Sequence, residues 1–173
     1  MELKEVMESR YACRSFAKER VIEKEKLDAL LEAIKLAPSA VNHQSPRVYV
    51  IQSELGLKTI NSLCTCIANA NTVLLFTYDK EEIWHSPFIK DVHSGIEDAS
   101  ILATYLMLKA TELGLGTCWV NYFDNQKVKE AFRLQDNEEV VLLMPLGYPS
   151  EDSEPNPIMH KKRKELSLMV RYL

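Results

Sequence analysis

Residues Ser94 to Leu113 read as one helix too apolar to stand alone. Ile96, Ala99, Leu102, Ala103, Leu106, Met107, Ala110 and Leu113 recur at helical spacing and cover a wide face. A helix of this kind must be covered by other elements, so we expect it at the centre of the fold, wrapped by its neighbours. Gly114 follows where a left-handed residue can close the helix.

The covering elements have to come from one domain. A chain of 173 residues is long enough for one sizeable core, and nothing before residue 150 marks a boundary. Leu27, Leu30, Leu31, Ile34 and Ala37 predict a helix from Lys24 that Pro38 ends. Shorter helices are expected over Leu3–Glu8, Leu57–Ala68 and, capped by Asp124, up to Phe132. Four strands are expected: Val48–Ile51, Val73–Tyr78, Thr117–Val120 and Val140–Leu146. The second is a nearly continuous apolar run, as in a strand buried on both faces. Residues 81–91 read as a loop and 150–157 as irregular. Strands and helices do not alternate regularly, and no G-x-G-x-x-G follows a strand. The class is therefore α+β, and a nicotinamide-binding Rossmann domain is not expected.

Charge and cysteine usage narrow the function. A net charge of −4 offers no broad surface for nucleic acid. No apolar run reaches the ~20 residues that span a bilayer, so no membrane association is expected. The start, Met1-Glu2-Leu3-Lys4-Glu5, lacks the layout of a secretory signal, and the expected location is the cytoplasm. Cys13 and Cys118 stand apart, Cys64 and Cys66 form a C-x-C, and no second pair or nearby histidine completes a metal set.

Three segments carry polar chemistry that a core does not require. Ala37 to Pro46 joins a helix to a strand, yet it holds Ser39, Asn42 and Gln44 between prolines, which makes it a candidate binding loop. Arg10 with Arg14, and the run His160-Lys161-Lys162-Arg163-Lys164, supply the donors that a phosphate monoester matches. Gly114 and Gly116 let backbone approach a partner closely, and Trp119 offers a flat apolar surface.

In order along the chain, these segments resemble the FMN-dependent nitroreductase family. The matching segments are Arg10-Tyr11-Ala12-Cys13-Arg14, Ala37 to Pro46, Leu113 to Val120, Leu146-Gly147-Tyr148-Pro149 and Lys161 to Arg163. The resemblance implies a flavoreductase-type α+β sandwich, with a mainly antiparallel sheet of four or five strands flanked by helices around the long central one. It also implies a homodimer with FMN in each interfacial pocket, and a C-terminal arm from about residue 150 packed on the partner subunit. Arg10, Tyr11, Ala12 and Arg14 match flavin-contacting positions, the first at the phosphate. Lys161 and Arg163 match the late basic position at the phosphate. Pro38, Ser39, Ala40 and Asn42 match the loop that reaches the flavin from the other subunit, and Cys118, Trp119 and Val120 match the segment bordering the ring.

The implied activity is ping-pong reduction of nitroaromatics, quinones or related electron-poor acceptors, with NADH or NADPH as donor. The cofactor carries that redox chemistry, so no side chain is assigned as catalytic. The chain departs from the family pattern at several positions: Tyr11 for an arginine or histidine, Ala12 for a serine, Ser45-Pro46-Arg47 for a Pro-Trp pair, and Asn121 for a glutamate. These departures leave room for a second reading, an FMN-binding protein without turnover that acts as a sensor or store.

Overall fold

The apolar run in the second strand organises the sheet. The computed structural model describes residues 1–173, and in it Thr72–Asp79 (β2) is paired on both sides. Antiparallel neighbours are Pro46–Ile51 (β1) and Glu138–Gly147 (β4), and Gly116–Thr117 (β3) extends β4 on its far side in the order β1-β2-β4-β3. Alternation along β2 then sends Val73 and Leu75 to one face and Leu74 and Phe76 to the other, all fully buried. A register shift between Phe76 and Thr77 leaves Val141 opposite no partner, so that Val140 falls on the face of Leu143 and not on that of Leu142, Met144 and Leu146.

Helices cover both faces. On one side lie Leu3–Ser9 (α1), Lys24–Glu32 (α2) and the long helix Gly95–Glu112 (α4); on the other lie Glu54–Leu63 (α3) and Asn125–Phe132 (α5). Leu102, Ala103, Leu106 and Ala110 of α4 pack with Leu30 and Ala33 against the Phe76 face. At its end Gly114 takes φ 74°, its N–H donates to Thr111 and the Leu115 N–H to Ala110, closing the helix with two bonds. The Asp124 carboxylate caps α5 by accepting from the Lys127 N–H at 3.1 Å.

Several boundaries differ from the sequence reading. The helix expected to begin at Leu57 begins at Glu54, because the Ser53 hydroxyl oxygen accepts from the Gly56 N–H, and it ends at Leu63 with a separate turn over Thr65–Ile67. The helix from Lys24 tightens into a 3-10 turn over Ala33–Leu36 before Pro38. β4 begins two residues early because Glu138 is buried despite its charge.

The long helix is the main correction. It is not wrapped within the chain: Ile101 and Tyr105, one turn apart on one flank, and Ile96 on the opposite flank are left in solvent. Leu3 and Met7 of α1 are exposed as well, so the face expected to pack there is only partly used. Beyond Ser153, whose carbonyl accepts from the Tyr11 hydroxyl, the chain leaves the body. A short helix, Pro157–Lys161 (α6), and the stretch to Leu173 stay exposed, with Leu166, Leu168, Met169 and Tyr172 in solvent.

Candidate functional site

The arginine segment is held in place by the edge of the sheet. After α1 the chain runs extended beside β3: Ala12 bridges Thr117, and the Cys13 N–H donates to the Thr117 carbonyl at 2.8 Å. Gly116 makes this approach possible, since a Cβ there would lie 2.8 Å from Cys13 Cβ and Sγ. The Tyr11 hydroxyl donates to the Ser153 carbonyl at 3.2 Å and lies 3.0 Å from its hydroxyl, which ties the start of the C-terminal segment to the same place. Burial pushes the Tyr11 hydroxyl pKa up, opposed by the Ser153 bond.

Arg10, Tyr11, Ala12 and Arg14 meet Asn156, Met159 and His160 of the α6 region around a cavity of about 120 Å³. The Tyr11 ring stands edge-on to His160, with centroids 6.5 Å apart. No carboxylate lies within ion-pair distance of Arg10, Arg14, Lys161 or Arg163. In a chain of net charge −4, that cluster of uncompensated cations is a local anion-attracting surface. Lys161 and Arg163 are exposed beside this cavity rather than on its wall, and the Arg163 guanidinium donates to the Met159 and Lys162 carbonyls. His160, read in the sequence only as part of a basic run, is the residue of that run on the wall.

The open edge of the sheet lies beyond Thr117. The register of Gly116 with Gly147 and Thr117 with Leu146 continues to Val120 with Leu143, which exchange two bonds of 3.0 Å. Between them Cys118 donates to Pro145 at 3.3 Å, and proline has no N–H to return. This is why the expected strand Thr117–Val120 is interrupted after Thr117. Trp119 and Asn121 fall on the alternate positions, so their amides point away from β4, and neither donates to a backbone carbonyl. Trp119 is exposed and Val120 buried. Burial pushes the Cys118 thiol up, with Arg14 and Arg10 opposing more weakly. That keeps Cys118 a protonated, unreactive side chain.

The candidate binding loop lies elsewhere. The Ser39 hydroxyl oxygen accepts from the Gln44 N–H at 2.9 Å, the Asn42 N–H donates to the Ser39 carbonyl, and Gln44 Nε2 donates to the Asn42 carbonyl. Val41, Asn42 and Gln44 all sit in the left-handed region, with φ of 51°, 58° and 53°. For β-branched Val41 this is a strained position, and strain of this sort gathers at functional loops. The Ala40 N–H donates to Asp98 of α4 at 2.8 Å. Pro38, Ser39, Asn42, Gln44, Asp98 and Leu102 border a cavity of about 260 Å³. Arg47 follows the loop and clamps it, donating to the carbonyls of Gln44, Ser45 and Pro46 while pairing with Glu82 and Asp79.

The sequence-predicted residues therefore form two groups that do not meet within one protomer. Arg10 and Tyr11 also border a hollow at the C-terminal end of α4, beside Thr111 and Gly114. The loop borders Asp98 near its N-terminal end. Thirteen residues of helix separate Asp98 from Thr111, about 20 Å at 1.5 Å per residue.

Comparison with known proteins places this arrangement. The sequence profile of the Nitroreductase family matches residues 7–66 and 61–148. A solved structure of a nitroreductase family protein from Clostridium difficile 630 is 35% identical, covers 99% of this chain and 98% of that one, and superposes with a TM-score of 0.91. An FMN-dependent nitroreductase from C. difficile R20291 is 27% identical over 87% of this chain and 90% of that one, with a TM-score of 0.73. A relative from Archaeoglobus fulgidus, named provisionally as an NADH dehydrogenase/NAD(P)H nitroreductase, is 26% identical over 79% of each chain. The chain belongs to the nitroreductase family, a family of oxidoreductases.

Proposed function

We propose that this protein is an FMN-dependent oxidoreductase whose active site is completed across a homodimer. Its donor is NADH or NADPH, and its acceptors are nitroaromatics, quinones or related electron-poor compounds. The observation that carries the reading is the placement of two half-sites at opposite ends of α4, which exposes Ile101 and Tyr105 one turn apart between them. A two-fold axis across the middle of the helix exchanges its ends. It brings the Ser39–Gln44 loop of one protomer to the arginine segment of its partner and covers that apolar pair at the same time.

The residues present fit an anionic, planar group with hydrogen-bond acceptors on its edge. Arg10, with Lys161 and Arg163 brought in by the C-terminal arm, would hold the phosphate. Arg14 lies beside Cys118 and next to the open sheet edge, where it would favour negative charge on the ring. The Trp119 and Asn121 amides would donate to ring acceptors, with Tyr11, Ala12, Cys118 and Val120 as the surrounding wall. Pro38, Ser39, Ala40 and Asn42 of the other protomer would close the opposite side. FMN supplies the hydride and electron chemistry when bound. Leu166, Leu168, Met169 and Tyr172, exposed in the single chain, would pack on the partner subunit.

The test is a titration of apoprotein with FMN, combined with sedimentation and anaerobic addition of NADH or NADPH. The expected result is a yellow dimer that bleaches with donor and recovers with a quinone. A monomer that retains flavin would overturn the shared site. A bound flavin that never bleaches would leave a binding protein without turnover.

A further inference from the structure

We propose that Asp98 is the residue that positions the half-site loop, acting on the cofactor only through the backbone it holds. The proposal rests on the FMN reading above for its functional consequence, and on the geometry of this chain for the rest.

Asp98 is 2% exposed and has no cation within ion-pair distance. A buried carboxylate without a counter-ion is costly unless its oxygens are occupied by donors. Both are: Oδ1 accepts from the Ala40 N–H at 2.8 Å and Oδ2 from the Ser94 hydroxyl at 2.7 Å. The position in the first turn of an 18-residue helix adds the favourable end of the helix dipole.

The bond to Ala40 has no substitute. The other hydrogen bonds made by backbone amides from Ser39 to Gln44 close within the loop itself: Asn42 to Ser39, His43 to Ala40, Gln44 to the Ser39 hydroxyl. Between Pro38 and Asn42, Asp98 is the one hydrogen-bonding anchor to the body of the fold. It holds the loop where Val41 and Asn42 enter the left-handed region, a conformation that relaxes readily if the tether is cut. Ser94 fixes the carboxylate, the carboxylate fixes Ala40, and the loop is presented ready-formed.

Two substitutions separate positioning from bulk stability. Asp98→Asn keeps an oxygen for the Ala40 N–H and lets Ser94 accept instead of donate; Asp98→Ala removes the tether. In apoprotein, amide exchange at Ala40 is expected to rise roughly tenfold or more in Asp98→Ala, the loss of one buried bond, and to stay near wild type in Asp98→Asn. The FMN dissociation constant should follow, rising roughly 10- to 100-fold in Asp98→Ala as a pre-organised loop is lost. The visible circular dichroism of bound flavin should return to the wild-type form in Asp98→Asn. If Asp98→Ala does not fold, Ser94→Ala tests the same tether, with a smaller rise at Ala40 in the same direction. Unchanged Ala40 exchange in folded Asp98→Ala, or in Ser94→Ala where Asp98→Ala does not fold, overturns the proposal, whatever flavin does. Accelerated exchange in Asp98→Ala, with wild-type protein itself taking up no flavin, supports the tether and overturns the cofactor reading instead.

Discussion

The Tyr49 hydroxyl donates to Glu138 Oε2 at 2.6 Å, joining β1 to β4 over the intervening β2. Glu138 is 4% exposed and its only other side-chain donor is Thr77, at 3.4 Å. Tyr49→Phe therefore strands most of a buried carboxylate's hydrogen bonding and is expected to cost about 1.5–3 kcal/mol in urea unfolding. Burial, then the Glu138 bond, pushes the Tyr49 hydroxyl up to about 12. The folded chain thus holds this proton more tightly than the unfolded chain, whose tyrosines titrate near 10. The stabilisation is fully present below about pH 10 and is lost as pH rises through about 12. Unfolding midpoints of wild type and Tyr49→Phe should converge over that window. A constant gap would remove Tyr49 as the titrating group.

Glu138 also marks where sequence reading stops. Val73 to Tyr78 announces a doubly buried strand because it is apolar but for Thr77, and Gly114 and Asp124 announce helix ends because their chemistry is local. Glu138 falls outside the strand expected from Val140, since the tyrosine that satisfies it lies 89 positions away. The break after Thr117 was equally hidden, because its cause is Pro145 on another strand. In the site, Arg10, Arg14 and the Ser39 loop were legible as ordered motifs. Asp98 and His160 were not, because their partners Ala40 and Tyr11 are near only in the fold. Of the apolar face read on α4, Ala99, Leu102, Ala103, Leu106 and Ala110 are buried and Ile96 is not, while Ile101 and Tyr105, which lie outside that face, also stay in solvent in the single chain.

Arg10→Ala tests the phosphate end of the proposed site. Arg10 has no carboxylate partner to release, so its removal costs the fold little. FMN affinity is expected to fall by about 1.5–3 kcal/mol, the range for a charge-assisted bond, while riboflavin affinity changes much less. Arg163→Ala should show the same selectivity if the arm brings it to the phosphate. Equal losses for both flavins would place these residues elsewhere.

Val41 is 72% exposed and held at φ 51°, so no packing within the protomer explains a β-branched residue there. Asparagine tolerates the left-handed region far better. Val41→Asn is expected to stabilise the isolated fold by about 1 kcal/mol, the lower end of the strain such positions store. The same change should weaken the dimer, seen as a higher dissociation constant by sedimentation, because an exposed valine on this loop faces the proposed partner. A variant with neither effect would show that the loop relaxes freely and that its conformation stores nothing.

Pro145 is buried in a central strand, paired with Val73 on one side and facing Cys118 on the other. Pro145→Val supplies the missing N–H to the Cys118 carbonyl, a bond worth about 1 kcal/mol. The substitution also frees the unfolded chain, which costs about 0.4–1 kcal/mol. The two nearly cancel, so overall stability should move by less than about 1 kcal/mol. The local effect should be plain: the new amide at position 145 becomes one of the slowest to exchange, and β3 runs unbroken to Val120. Flavin affinity should stay close to wild type, because the Trp119 and Asn121 amides lie on the opposite edge from Pro145. A large loss of flavin with a well-protected amide at 145 would mean that the interruption itself, and not the open edge beyond it, shapes the site.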